Sequence, residues 1–184
     1  LTKTLLISPV EPNITNMSIG EVIRAPAIKV GDNINTDVII PSKYLVYTDP
    51  ETLGKHCLEP LIPNFYERAK NGVILVAGKN FGMGSSREQA AIALKGAGVL
   101  AVIAESFARI FFRNAINNGL PVIVLPGITK VVEDGDIIEI RLLEGKVKVE
   151  GKAEFTIKPL DPKIMEILRA GGLIPYLRKQ LGLA

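Results

Sequence analysis

The chain reads as an α/β protein: a mostly parallel central sheet with flanking helices, followed by a small antiparallel meander. Three observations carry this expectation. GVILVAGKN, VLAVIAE and LPVIVLPG are short apolar runs, and two segments of helical periodicity separate them. Such a β-α-β-α-β rhythm calls for parallel strands joined by crossover helices. After Gly127 the pattern changes to GDIIEIRLL, GKVKVEG and AEFTIKP, alternating segments with glycine turns that suit antiparallel pairing. Third, 184 residues with 47% hydrophobic and 22% charged side chains can bury one sizeable core.

The elements follow in order. EVIRAPAIKVG is rich in β-branched residues and reads as a strand kinked at Pro26. DNINTD is a turn cluster, and DVIIP reads as a short strand ended by Pro41. SKYLVYTDPETLGKHCLEP supplies a loop and then a short helix with Thr48 or Asp49 as N-cap. The first crossover helix is SREQAAIALKGAG, with Gly96 and Gly98 near its end. The second is SFARIFFRNAINNG, with Ser106 at its start and Gly119 at its stop. DPKIMEILRAGG and LIPYLRKQL close the chain as helices. Residues 1–16, interrupted by Pro9 and Pro12, are expected to form an extension, with Met17 a plausible alternative start and the domain occupying 17–184.

Composition excludes several function classes. No apolar run approaches the roughly 18 residues of a membrane span. The net charge is +3 and the basic residues are interspersed with acidic ones, which argues against nucleic acid as a partner. Cys57 is the one cysteine and His56 the one histidine. They cannot make a disulfide framework, a zinc site or an iron–sulfur cluster, which needs about three or four thiolates. A reducing cytoplasm is the expected setting.

GKNFGMGSSREQAA (78–91) lies between an apolar strand and a helix. Glycines there let backbone approach a ligand, and the helix start offers unpaired N–H groups to an anion. The position is the strand-end edge where α/β proteins bind ligands. Neither the dinucleotide pattern nor the phosphate loop fits, because Arg87 and Ser85 stand where glycine and lysine are required. Arg87 suits a carboxylate, and an adjacent serine suits proton chemistry if N–H groups and arginine stabilise its alkoxide. On spacing alone a second reading stands beside this one, in which the serines are helix caps and Arg87–Glu88 is a solvated pair.

GKNFGMGSSREQAA, VIAESFARIFFRNAINNGLP and GDNINTDVIIPSKYL together resemble the swivelling domain of aconitase-type hydro-lyases. The resemblance covers about residues 20–178. It is to the branch in which this domain is a separate chain, the small subunit of isopropylmalate isomerases and homoaconitases. It implies dehydration and rehydration of a hydroxy-dicarboxylate in leucine biosynthesis. It also implies a large partner subunit carrying a [4Fe–4S] cluster, with none bound by this chain. Ser85 would take the proton from carbon, Ser86 and Arg87 would hold a substrate carboxylate, and Asp37 matches an active-site aspartate. Read without the resemblance, Asp37 is equally a turn cap. Many relatives have His at Gln89 and Cys at Met83, changes that spare the serines and the arginine. Arg109, Arg113, Asn114 and Asn117 are expected to serve helix packing and hydrogen bonds to neighbouring loops.

In that family the loop KYLVYTDP reads the substituent on the substrate's γ-carbon. Val46 and Tyr47 stand where tricarboxylate-specific relatives carry arginine, and Leu45 adds apolar surface beside Val46. Burying an isopropyl group there contributes roughly 1.5–3 kcal/mol, whereas an unpartnered carboxylate costs several kcal/mol. The expected substrate is therefore isopropylmalate, although Lys43 is close enough in sequence to swing in. Flanked by Pro41 and Pro50, the loop is expected to stand open in the free chain. A homoaconitase or citraconate/methylmalate-type small subunit is the alternative within the class, and a non-catalytic carboxylate-binding module the alternative outside it. Self-association of the isolated chain stays open.

Overall fold

The computed structural model describes residues 22–183, so the expectation for residues 1–16 lies outside it. Strands β1 (Val22–Lys29), β2 (Val73–Ala77), β3 (Val99–Ala104) and β4 (Val122–Val124) pair in parallel. Strands β5 (Ile137–Arg141), β6 (Lys146–Val149) and β7 (Ala153–Thr156) form the antiparallel meander. The two halves are one sheet of order β4-β3-β2-β1-β5-β6-β7, joined where β1 and β5 pair antiparallel. Pro26 does not interrupt β1. It marks the changeover, since Val22–Pro26 pairs with β5 and Ala27–Lys29 with β2. A residue without an N–H fits a position where one ladder ends and another begins.

β2 is buried along its whole length. Val73, Leu75 and Ala77 face one core and Ile74 and Val76 the other, as the two-residue period of a strand requires. The first core is capped by α2 (Pro50–Lys55), α3 (Phe65–Ala69), α4 (Glu88–Ala97) and α5 (Arg109–Asn117). The meander curls over the second face, bringing Ile138, Ile140, Val147 and Val149 against Ile103 and Ile123. Met165 of α6 (Pro162–Ala170) closes that core, and α7 (Leu173–Gln180) follows.

DVIIP is not a strand. Thr36–Ile39 is a single helical turn, α1, because the Asn35 side chain accepts the Val38 N–H at 2.9 Å and caps it. Asp49 caps α2 as expected, accepting the Thr52 N–H at 2.8 Å. The helix after β3 starts three residues later than its serine, at Arg109. Ser106 Oγ instead accepts the Asn80 N–H at 2.9 Å, which ties this loop to the one after β2. α3, in NFYERAK, has no counterpart in the sequence reading; it is too short to show a helical period.

α4 is built for close approach. Its buried face is Ala90, Ala91, Ala93, Leu94 and Ala97, and its Gly96 meets Gly54 of α2 backbone to backbone. A Cβ on Gly96 would stand 2.0 Å from the Pro50 carbonyl oxygen, and one on Gly54 would stand 2.4 Å from the Gly96 carbonyl carbon. Lys95, one residue earlier, donates from Nζ to the carbonyls of Asn118 at 3.1 Å and Gly171 at 3.4 Å, beyond the ends of α5 and α6. Burial lowers its pKa, and the carbonyls at those helix ends compensate the charge.

Gly96→Ala tests the α2–α4 contact. In an unobstructed helix alanine is more stable than glycine by about 0.5–1 kcal/mol. Here we expect the opposite sign, a loss of about 1–3 kcal/mol from overpacking, read as a lower urea midpoint. An unchanged or higher midpoint would mean that the two helices do not touch.

Candidate functional site

The site lies at the carboxyl edge of the parallel strands, where the loops after β1, β2 and β3 meet. Backbone hydrogen bonds join the first two along their length. Gly78 N–H donates to Gly31 O at 3.0 Å, Asn33 N–H to Lys79 O at 2.7 Å, Gly82 N–H to Ile34 O at 2.7 Å, and Thr36 N–H to Met83 O at 2.9 Å. Side chains add to the seam. Asp32 accepts the Lys79 N–H at 2.7 Å, and Asn80 Nδ2 donates to Asn33 Oδ1 at 3.1 Å. Both asparagines have positive φ, 56° and 57°. Asparagine tolerates that conformation better than other side-chain-bearing residues.

The loop after β2 also rests on aromatic rings. Phe81, Phe107 and Phe111 pack with centroids 5.1 to 6.1 Å apart. Gly82 lies flat on Phe111 with φ at 81°, and a Cβ there would fall 2.2 Å from the ring. Phe81 N–H donates to Ser106 O at 3.1 Å and Ala108 N–H to Phe81 O at 2.9 Å, fixing the third loop. Beyond β3, Glu105 accepts from Gly127 N–H, Thr129 N–H and Thr129 Oγ1. Burial works to raise the Glu105 pKa, but those bonds hold it below the ordinary carboxylate value.

This frame presents Ser85, Ser86 and Arg87. Both serines are exposed, and neither caps a helix. α4 starts at Glu88, with Arg87 at the N-cap position and no side chain bonded to its first turn. Thr36, buried to 2% exposure, donates its hydroxyl to the Ser85 carbonyl at 2.9 Å and pins that residue's backbone. Among the described residues, neither serine hydroxyl has a partner. Arg87 is brought to Asp37: its NH2 pairs with Asp37 Oδ1 while NH1 donates to the Ile40 carbonyl at 3.1 Å. The arginine side chain is 15% exposed and the aspartate 60%. A fixed guanidinium beside two exposed hydroxyls can receive a carboxylate and keep a proton-transfer group close to it.

The sequence-level features of this site coincide with those of known proteins. The Aconitase C-terminal domain family matches residues 32–127. The 3-isopropylmalate dehydratase small subunit of Sulfolobus acidocaldarius is 58% identical over 158 residues, 86% of this chain and 98% of that protein. Its counterpart from Metallosphaera sedula is 54% identical over the same 86% of this chain and 98% of its own length. The crystal structure of a 3-isopropylmalate dehydratase from Methanocaldococcus jannaschii superposes with a TM-score of 0.82 at 46% identity, covering 88% of this chain and 96% of that one. The chain belongs to the 3-isopropylmalate dehydratase small-subunit family.

As a member of that family it has the aconitase-type fold expected from its motifs. An iron–sulfur cluster does not fit its own side chains. Cys57 is fully buried, its thiol pKa pushed well up by burial, and among the described residues no three His, Cys, Asp or Glu side chains gather as a metal site. No described helix is long and apolar enough to cross a membrane.

The segment KYLVYTDP, expected to read the γ-substituent, is exposed at its middle. Val46 is 79% exposed and Tyr47 44%, while Leu45 packs partly against the core. Its base is anchored by residues outside the motif. Tyr44 stacks on His56 at 3.8 Å, and both bond to Glu59, the hydroxyl at 2.6 Å and the His56 Nδ1 at 2.9 Å. Lys43 lies over the Tyr44 ring at 4.7 Å and 3.8 Å from Glu59, turned to this cluster. The expectation for the second helix needs correction in part. Among the described residues, Arg109 and Arg113 are exposed and bond to no neighbouring loop, because they lie on the side of α5 away from the buried Phe111 and Ala115.

Proposed function

We propose that Ser85 is the proton-transfer group of a 3-isopropylmalate dehydratase and that Ser86 and Arg87 hold a substrate carboxylate. The chain is the small subunit of this hydro-lyase, which interconverts 2- and 3-isopropylmalate by loss and return of water on the route to leucine. The observation that carries the residue roles is the exposure of both hydroxyls beside a fixed Arg87, with no capping duty. Asp37 orients Arg87 in the free chain. An arriving substrate carboxylate takes up guanidinium donors that Asp37 and the Ile40 carbonyl leave over.

A large partner subunit completes the site. A [4Fe–4S] cluster carried by that partner would supply Lewis-acid chemistry for loss of the substrate hydroxyl, with no ligand from this chain, whose one cysteine, Cys57, is buried. On this side of the substrate, Ser85 takes the proton from carbon and returns one after the acid has turned. Its alkoxide is stabilised by Arg87 and by the uncapped first turn of α4. Leu45, Val46 and Tyr47 close on the isopropyl group and exclude water. With Lys43 turned to Glu59, no cation in this loop faces a third carboxylate. The reading includes a cytoplasmic setting, which keeps a lone thiol such as Cys57 reduced.

In the reconstituted complex, Ser85→Ala is expected to lower kcat by about 100- to 10,000-fold with little change in KM, since a proton-transfer group acts mainly in the transition state. Near-normal turnover in Ser85→Ala together with a dead Ser86→Ala would reverse the two serines. Substrate choice is a separate test. Wild type should favour isopropylmalate over a homocitrate-type acid by roughly 30- to 5,000-fold in kcat/KM, and Val46→Arg should narrow that gap. Equal wild-type values would place specificity outside this loop.

A further inference from the structure

Two adjoining cavities flank α5, and Arg109 and Arg113 line both. One, of about 430 Å³, is bounded by Gly82, Gly84, Ala108 and Ile110, and so opens beside the candidate site. The other, of about 520 Å³, has an apolar floor of Phe107, Phe112, Ile116, Val124 and Ile164. Arg109 and Arg113 are four residues apart on one helix face and have no partner among the described residues. Elsewhere in the chain Arg24, Arg68, Arg87 and Arg141 each hold a carboxylate. The nearby acids are already engaged: Asp37 by Arg87, Glu105 by the loop at Gly127 and Thr129, and Glu88 by Asn118. Exposed Ile110 (52%) and Met83 (39%) extend the apolar surface toward the serines.

We infer that this face of α5 is a docking surface for the large subunit, which presents an apolar side chain to the 520 Å³ cavity and a carboxylate to the arginine pair. The inference rests on the proposed function, which requires a partner over the same edge of the sheet. Three features select this occupant. The apolar floor asks for a hydrophobic anchor, and the two cations at its rim ask for an acid. Through Arg109 and Arg113 the cavity also adjoins the 430 Å³ one bounded by Gly82 and Gly84 of the loop that carries Ser85, so a chain seated here is carried toward the reacting groups. The arginine pair thereby fixes where the partner lies relative to Ser85 without touching substrate.

The test is association of the full chain with its large subunit, measured at several salt concentrations for wild type, Arg109→Ala/Arg113→Ala and Val124→Ala, Val124 being 49% exposed. Both arginines are exposed, so the double variant should keep the wild-type circular dichroism and melting temperature. It is expected to bind the large subunit at least about tenfold more weakly at low salt, with a flatter salt dependence. Its KM for isopropylmalate at saturating large subunit should equal that of wild type. Unchanged affinity and salt dependence would overturn the inference, as would a raised KM at saturating partner, which would make the pair a substrate site. Val124→Ala should weaken association with no change in salt slope, whereas unchanged association would remove the apolar half of the surface. A wild-type chain that does not bind the large subunit would overturn the proposed function as well, whereas normal wild-type binding with an indifferent double variant would overturn this inference alone.

Discussion

Everything in this site depends on the seam between the loops after β1 and β2. Two irregular segments lie side by side and satisfy each other's backbone groups, from Gly78 on Gly31 through to Thr36 on Met83. Buried loops are costly because their N–H and C=O groups lack partners. The seam removes that cost by extending β-like pairing past the ends of the strands, including the bridge between Asn35 and Met83. Each residue at the seam is chosen by this need. Gly78 leaves room for the Asp32 carboxylate, whose Oδ1 would be 1.8 Å from any Cβ there. Gly82 leaves room for Phe111, and the asparagines take the left-handed turns.

From the seam follows the chemistry. Thr36, held by the Met83 carbonyl, reaches Ser85 and fixes the backbone that carries both hydroxyls. The next residue, Asp37, reaches Arg87. The same four-residue helix therefore places the serines through one residue and the guanidinium through the next. The loop proposed to read the substrate follows that helix and is pinned by Tyr44, His56 and Glu59, which leaves its middle exposed. On the proposed function, a rigid acid–base side and an exposed loop suit completion by a second subunit, because proton transfer needs fixed geometry while substrate entry needs an opening.

Much of the fold was legible in the sequence because the signals were local. VILVA and VLAVIA are buried on both faces, and uninterrupted apolar runs are what such strands require. The meander showed itself by alternation, and Asp49 by its place before Pro50. DVIIP misled because a four-residue apolar run fits strand and helix equally, and only the Asn35 cap, formed by a bond across three residues, decides. Ser106 misled because its hydroxyl serves Asn80, 26 residues away, rather than its own helix. In the candidate site, Ser85, Ser86, Arg87 and Asp37 were readable from motif and resemblance. Thr36 was not, since its partner is a backbone carbonyl 49 residues away. The solvent-facing side of α5 was missed for a related reason. RIFFRNAIN shows which residues are buried, but not that the two arginines between them find no acid among the described residues.

The central claim is that the loop seam and the rings beneath it, rather than the three motif side chains alone, set the position of the reacting groups. Gly82→Ala tests it most directly, because it keeps Ser85, Ser86, Arg87 and Asp37 unchanged and adds one methyl group against Phe111 at a φ of 81°. In the assembled complex, with the variant shown to be folded by circular dichroism and to bind its large subunit, the account predicts a fall in kcat/KM for isopropylmalate of at least about 100-fold, the scale of an ångström's misplacement. A folded, assembled Gly82→Ala enzyme with wild-type kcat/KM would contradict it.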